Sequence, residues 1–266
     1  MANPQTHFRS ISLPSRLHDP INPKNFEAQL QKLKSLQINS VPITSEAIQT
    51  GILGLAELYN SVQLKSSVPQ DTKSIEESLS SSIQLLDVCS AIRDLFQMIK
   101  ENVHALQSAL RRKGQDFSSA QNDVASYFCF RKRMNKCTAK TLKTLKNLEQ
   151  INNDSGLFRQ LMGITIGIFR SILVFLSGPI SRPGGWALVS KVMNIKFGGC
   201  EIDVINETGN VDFALKMRSN GATAQMVQKR LQNVDAMVEG FEGGLERLFR
   251  QLVQSRVTLL NILTDN

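Results

Sequence analysis

The chain has 266 residues, 41% of them hydrophobic, which is enough to bury one sizeable core. Only 6% are aromatic, with a single Trp, so a core of Leu, Ile and Val on helices fits and a β-sandwich does not. Four scattered cysteines (Cys89, Cys129, Cys137, Cys200) exclude a disulfide framework and read as free thiols in a reducing compartment, and the formal net charge of +8 sits almost wholly in one segment.

From the N-terminus, residues 1–23 hold four of the eight prolines and no apolar signal segment. They predict a disordered Ser/Pro-rich tail on a protein that is not secreted, so the sequons at Asn153 and Asn206 stay unglycosylated. Ala2 rules out N-myristoylation, and the C-terminus lacks a prenylation box. Within the tail, Arg9-Ser10-Ile11-Ser12-Leu13-Pro14 fits the R-S-x-S-x-P pattern bound by 14-3-3 proteins. Phosphate on Ser12 would present about two negative charges to an arginine cluster, with Pro14 turning the chain away. The alternative is an idle tail.

Residues 24–266 read as one helical domain, with helices over 24–38, 44–65, 73–113, 119–152, 155–177, 186–195 and 221–263. Ser74 with Glu77 offers a capping box at the start of the third, and Gly114 closes it. Two of these helices carry an unbroken seven-residue apolar rhythm: Leu85, Cys89, Ile92, Phe96, Ile99, Val103, Leu106, Leu110, and Val227, Leu231, Val234, Val238, Phe241, Leu245, Leu248, Leu252. Steps of four and three return to one helix face, so each run is a seam that must be buried against other helices, in this chain or in a second copy. At about 60 Å each, these helices predict an all-α, elongated bundle of long antiparallel helices.

Between the two seams, Arg131, Lys132, Arg133, Lys136, Lys140, Lys143 and Lys146 put seven cations in one acid-free stretch. Lys132, Lys136, Lys140, Lys143 and Lys146 share an arc of about 120°, opposite Leu142, Leu145 and Leu148. This stripe stays solvated, meets an acidic face, or binds anionic lipid, with Phe128, Cys129 and Phe130 at its start available to insert or be acylated. Nucleic acid is disfavoured, because no helix-turn-helix, zinc finger or aromatic platform accompanies the charge.

Leu161 to Leu176 is nearly continuous apolar sequence, interrupted by Arg170. It falls short of the roughly 20 residues of a membrane span and reads as a buried central helix whose Gly163 and Gly167 admit a close neighbour, the alternative being an integral or re-entrant span. Gly240, Gly243 and Gly244 call for the same explanation. Residues 177–220, rich in Gly and Pro, read as an irregular connection, the alternative being a functional loop, with a weak strand pattern at Glu201 to Ile205. Catalysis has little support: His7 and His18 lie in the tail, His104 stands alone on a helix, Asp87 and Asp94 are unpaired, and no cofactor, metal or nucleotide motif appears.

Four stretches together resemble a known family over nearly the whole length: RSISLPSRLHDP (Arg9 to Pro20), LLDVCSAIRDLFQMIKE (Leu85 to Glu101), WALVSKVM (Trp186 to Met193) and GLERLFRQLVQSRVTLLNIL (Gly244 to Leu263). The chain is similar to the plant-specific family with domain of unknown function 241, related to the BYPASS-type developmental proteins. The resemblance implies a helical plant protein without known enzymatic activity, associated with root and shoot development, and offers no active-site residues to transfer. The expected function is a non-enzymatic adaptor or regulator with protein partners, cytoplasmic. The alternative is a peripheral membrane protein docking on anionic lipids through the lysine stripe.

Overall fold

The computed structural model describes residues 23–39, 44–61, 72–113, 119–151, 157–177, 206–216 and 224–265. They form seven helices in chain order: α1 (Pro23–Asn39), α2 (Ser45–Ser61), α3 (Thr72–Lys113), α4 (Gln121–Ile151), α5 (Leu157–Ser177), α6 (Glu207–Lys216) and α7 (Ala224–Asp265). No strand occurs among the described residues. The tail with Arg9, Ser12 and Pro14, the expected helix at 186–195, the strand pattern at Glu201 to Ile205, Gly114 and Cys200 lie outside them.

Both seams close within the chain. Every one of the sixteen seam positions is buried. α3 and α7, 42 residues each, lie side by side. Their direction follows from the ion pairs that cross between them, because Arg93 meets Glu246, Lys100 meets Glu242 and His104 meets Asp235. Numbers rise on one helix as they fall on the other, so the pair is antiparallel. At 1.5 Å per residue each helix runs about 63 Å, which sets the length of the bundle. Arg256 extends the link, donating from Nη1 to the Leu79 carbonyl at 2.6 Å and to Ser82 Oγ at 2.9 Å.

α2, α4 and α5 complete the core. α5 touches α1, α2, α3 and α4, and Leu161, Phe169, Ile172, Leu173 and Leu176 are fully enclosed. By length and composition Phe158–Ser177 is apolar enough to cross a membrane; here it is the central helix of the bundle. The Tyr59 hydroxyl on α2 reaches Thr165 Oγ1 on α5 at 2.9 Å, and Thr165 in turn donates to the Leu161 carbonyl, so both buried hydroxyls are satisfied. Arg170, the charge inside this apolar run, reaches out to Glu149 of α4, with Nη1 to Oε1 at 3.2 Å.

Two expectations need correction. Ser74 does not cap α3: the helix already starts at Thr72, Ser74 is buried inside it, and Glu77 pairs with Arg159 of α5. The stretch 177–220 is not wholly irregular, since it contains α6. Asn206 caps that helix, its Oδ1 accepting from Gly209 N at 2.7 Å and from Thr208 Oγ1 at 2.9 Å. Its Nδ2 donates to the Phe175 carbonyl near the end of α5, so the amide nitrogen of this sequon is engaged.

Candidate functional site

The cationic segment divides in the folded chain. Lys132, Lys136, Lys140, Lys143 and Lys146 are all exposed on the outer face of α4, as is Arg133 beside them. Arg131 is not part of that surface. It is 1% exposed and enters the core, where its Nε donates to both oxygens of Asp212 on α6 at 3.0 and 3.2 Å. Nη1 donates to the Leu176 carbonyl at 3.1 Å, and Nη2 lies 3.0 Å from Asp212 Oδ2 without the alignment of a hydrogen bond. Tyr127, one turn back, donates its hydroxyl to the same carboxylate; burial beside that negative charge pushes the phenol well above its ordinary value. This cluster joins α4, the end of α5 and α6, and it is structural.

The aromatic flank of the lysine row also differs from expectation. Phe130 is buried and Phe128 half-buried, with both rings packed on Tyr127 at 5.9 and 5.7 Å between centroids. Their rings serve the core, since burying each face against its neighbours is worth more than leaving it in water. Cys129 and Cys137 are exposed free thiols; Cys89, inside the seam, is buried, and burial raises its pKa to about 12.

A second surface lies over the α3/α7 pair. Ser90, Arg93, Asp94 and Gln97 of α3 and Glu242, Gly243 and Glu246 of α7 line an open groove of about 580 Å³. Three carboxylates face one guanidinium there, and Lys100 beyond the rim is drawn to Glu242, whose hydrogen bond raises the pKa of the ammonium. Gly243 forms part of the floor. The neighbouring glycines have packing reasons: a Cβ on Gly244 would come within 2.9 Å of Ile52 Cγ2, and one on Gly240 within 2.9 Å of the Gln49 amide, both on α2. A Cβ on Gly243 would meet nothing within 4 Å, and the same holds for Gly163, so close packing among the described residues explains neither.

The remaining candidates do not converge. His104 is exposed and 3.0 Å from Asp235, Asp87 and Asp94 stand apart on the α3 surface, and no group of three metal-ligating side chains occurs among the described residues. Arg131, one of the seven cations but outside the lysine arc, carries its own signal for burial. Val124, Arg131, Thr138 and Leu145 recur every seven residues, and all four are buried.

The described residues thus define an all-helical bundle whose chemically distinctive features are two surfaces, an acidic-lined groove and a cationic helix face. The chain belongs to the plant family described as Protein BPS1, whose model matches residues 51–262. Domain of unknown function 241 is another name for the same family. The match spans α3, α4, α5, α6 and most of α2 and α7, and so includes both surfaces. Comparison with curated proteins and with solved structures gives no match.

Proposed function

We propose that this protein is a non-enzymatic adaptor in plant root and shoot development, and that it takes a basic helix of a partner protein in the α3/α7 groove. The observation that carries this reading is Gly243. A glycine inside a long helix costs about 1 kcal/mol against alanine, and nothing among the described residues requires one at this position. At the floor of a groove, the missing side chain lets another backbone approach closely. Glu242 and Glu246 already pair with Lys100, Arg93 and Arg250, which leaves Asp94 as the lining carboxylate that a basic partner would meet first. Family membership supports the developmental setting. In this reading the tail is a second docking element, with phosphorylated Ser12, set by Arg9 and Pro14, received by a 14-3-3 protein.

The test is complementation. Plants lacking the protein are expected to show root and shoot defects that the full chain restores, and that a Gly243→Leu protein accumulating to the same level does not. Full rescue by Gly243→Leu removes the groove from the proposal; normal growth without the protein removes the developmental role. In the same lines, Ser12→Ala is expected to abolish capture by 14-3-3, and undiminished capture excludes the tail.

A further inference from the structure

The outer face of α4 lies on a different helix from the groove, and its chemistry is of another kind. Lys132, Lys136, Lys140, Lys143 and Lys146 follow one another every three or four residues, all exposed, over about 21 Å of helix. The acids closest along the helix, Asp123 and Glu149, stand beyond its two ends and are engaged already, by Lys113 and Arg170. Elsewhere Arg93, Lys100, Arg131, Arg159 and Arg170 each reach a carboxylate on another helix, so this fold pairs cations across helices where it packs them. The five lysines have no such pairing among the described residues.

What stands between them narrows the partner. Exposed positions on the same face include Ala125, Cys129, Ala139, Asn147 and Gln150, none a large apolar side chain of the kind that anchors protein interfaces. Tyr127 and Phe130 are turned into the core, and Phe128 is half-buried with its ring packed on Tyr127, so the face offers no fully exposed ring on which a base could stack. Every cation in the row is Lys, a point charge without the planar fork that reads base edges and grips single phosphates in two-point fashion. A straight row of diffuse positive charge on a convex helix matches a plane of headgroups better than a groove or a pocket.

We infer that this face docks on a bilayer containing anionic phospholipid, with α4 lying along the membrane surface and the lysines directed at the headgroups. Each ammonium held near such a surface is worth about a fivefold gain in binding, and the gain fades as salt shortens the Debye length. Insertion of Phe128 and Phe130 is not needed, which makes the attachment electrostatic and reversible. The inference does not rest on the groove, and either can fail without the other.

The experiment is co-sedimentation of the full chain with vesicles of phosphatidylcholine, alone or with phosphatidylserine. Binding is expected to the phosphatidylserine vesicles only, and to be lost between about 0.1 M and about 1 M salt, where the Debye length falls from about 10 to about 3 Å. Changing Lys132, Lys136, Lys140 and Lys143 together to Gln should weaken binding at least about fiftyfold, while the same four changed to Arg should keep it. Because all four are exposed, both variants should melt with the wild type, which separates lost docking from lost folding. Equal binding by the Gln variant, or equal binding to both kinds of vesicle, overturns the inference. So does a short nucleic-acid duplex or an acidic polypeptide that displaces the wild-type protein from the vesicles at matched charge.

Discussion

At the scale of single residues, Arg131 has the largest consequence. An ion pair removed from water contributes little beyond what well-packed apolar side chains would, yet leaving one partner alone and charged in the core is expensive. Arg131→Met should therefore lower stability by about 3–5 kcal/mol, because Asp212 would keep only Tyr127 among its partners in this cluster and the Leu176 carbonyl would lose a donor. The double variant Arg131→Met with Asp212→Leu should recover most of that loss. Urea unfolding of the three proteins decides the matter, and a double variant no more stable than Arg131→Met would show that the pair is worth more than its desolvation.

At the scale of elements, three helical glycines within one and a half turns of α7 give opposite expectations. Gly243→Ala should raise stability by about 0.5–1 kcal/mol, since the new methyl group meets open space and the unfolded chain loses freedom. Gly244→Ala should lower it by about 1–2 kcal/mol, because the methyl group collides with Ile52 and α2 must move. Thermal melts of the two variants should thus shift in opposite directions, and a common direction would contradict the packing described here. The long helices were legible in the sequence because their periods are long: sixteen seam positions agree, and no single exception could hide them. α6 was not, being ten residues long and dependent on distant partners. Asn206 binds the Phe175 carbonyl, Glu207 accepts from Ser45 of α2, Asp212 meets Arg131, and Arg230 donates to the Asn210 carbonyl. The local trace was there, an Asn cap followed by Glu207 and by Val211, Ala214 and Leu215 on one face, but glycines on either side outweighed it. Of the candidate surfaces, the lysine row was readable from spacing alone. The groove was not, because its lining comes from helices more than a hundred residues apart in the chain, and a glycine with a packing role and one without look the same in sequence.

At the scale of the whole molecule, the core that encloses the Arg131–Asp212 ion pair holds one thiol and two phenols neutral. Cys89, Tyr59 and Tyr127 all have raised pKa values, burial being the main cause in each. In the unfolded chain the thiol ionises near its ordinary value of 9.0 and the phenols near 10.0, whereas in the fold Cys89 waits until about 12 and the two tyrosines higher still. Their contribution is therefore complete below about pH 9 and declines as the pH rises beyond it, by up to about 1.4 kcal/mol per pH unit for each group. Urea midpoints should be level from neutral pH to about 9 and fall steeply above it, with Cys89→Ala delaying the onset by about one pH unit toward the tyrosine range. A midpoint that holds constant through pH 11 would mean that these groups are reached by water.

The antiparallel partnership of α3 and α7 also bears on how the protein is made. α3 is complete at Lys113, but the helix that covers its seam begins only at Ala224. At ribosomal speeds of about 5–20 residues per second, the eight apolar side chains of that seam wait on the order of ten seconds for their cover. α5, more apolar still, emerges within the same interval but onto partners already made, α1 to α4. The nascent chain thus passes through a stage in which the long α3 seam is finished and still lacks the helix that covers it.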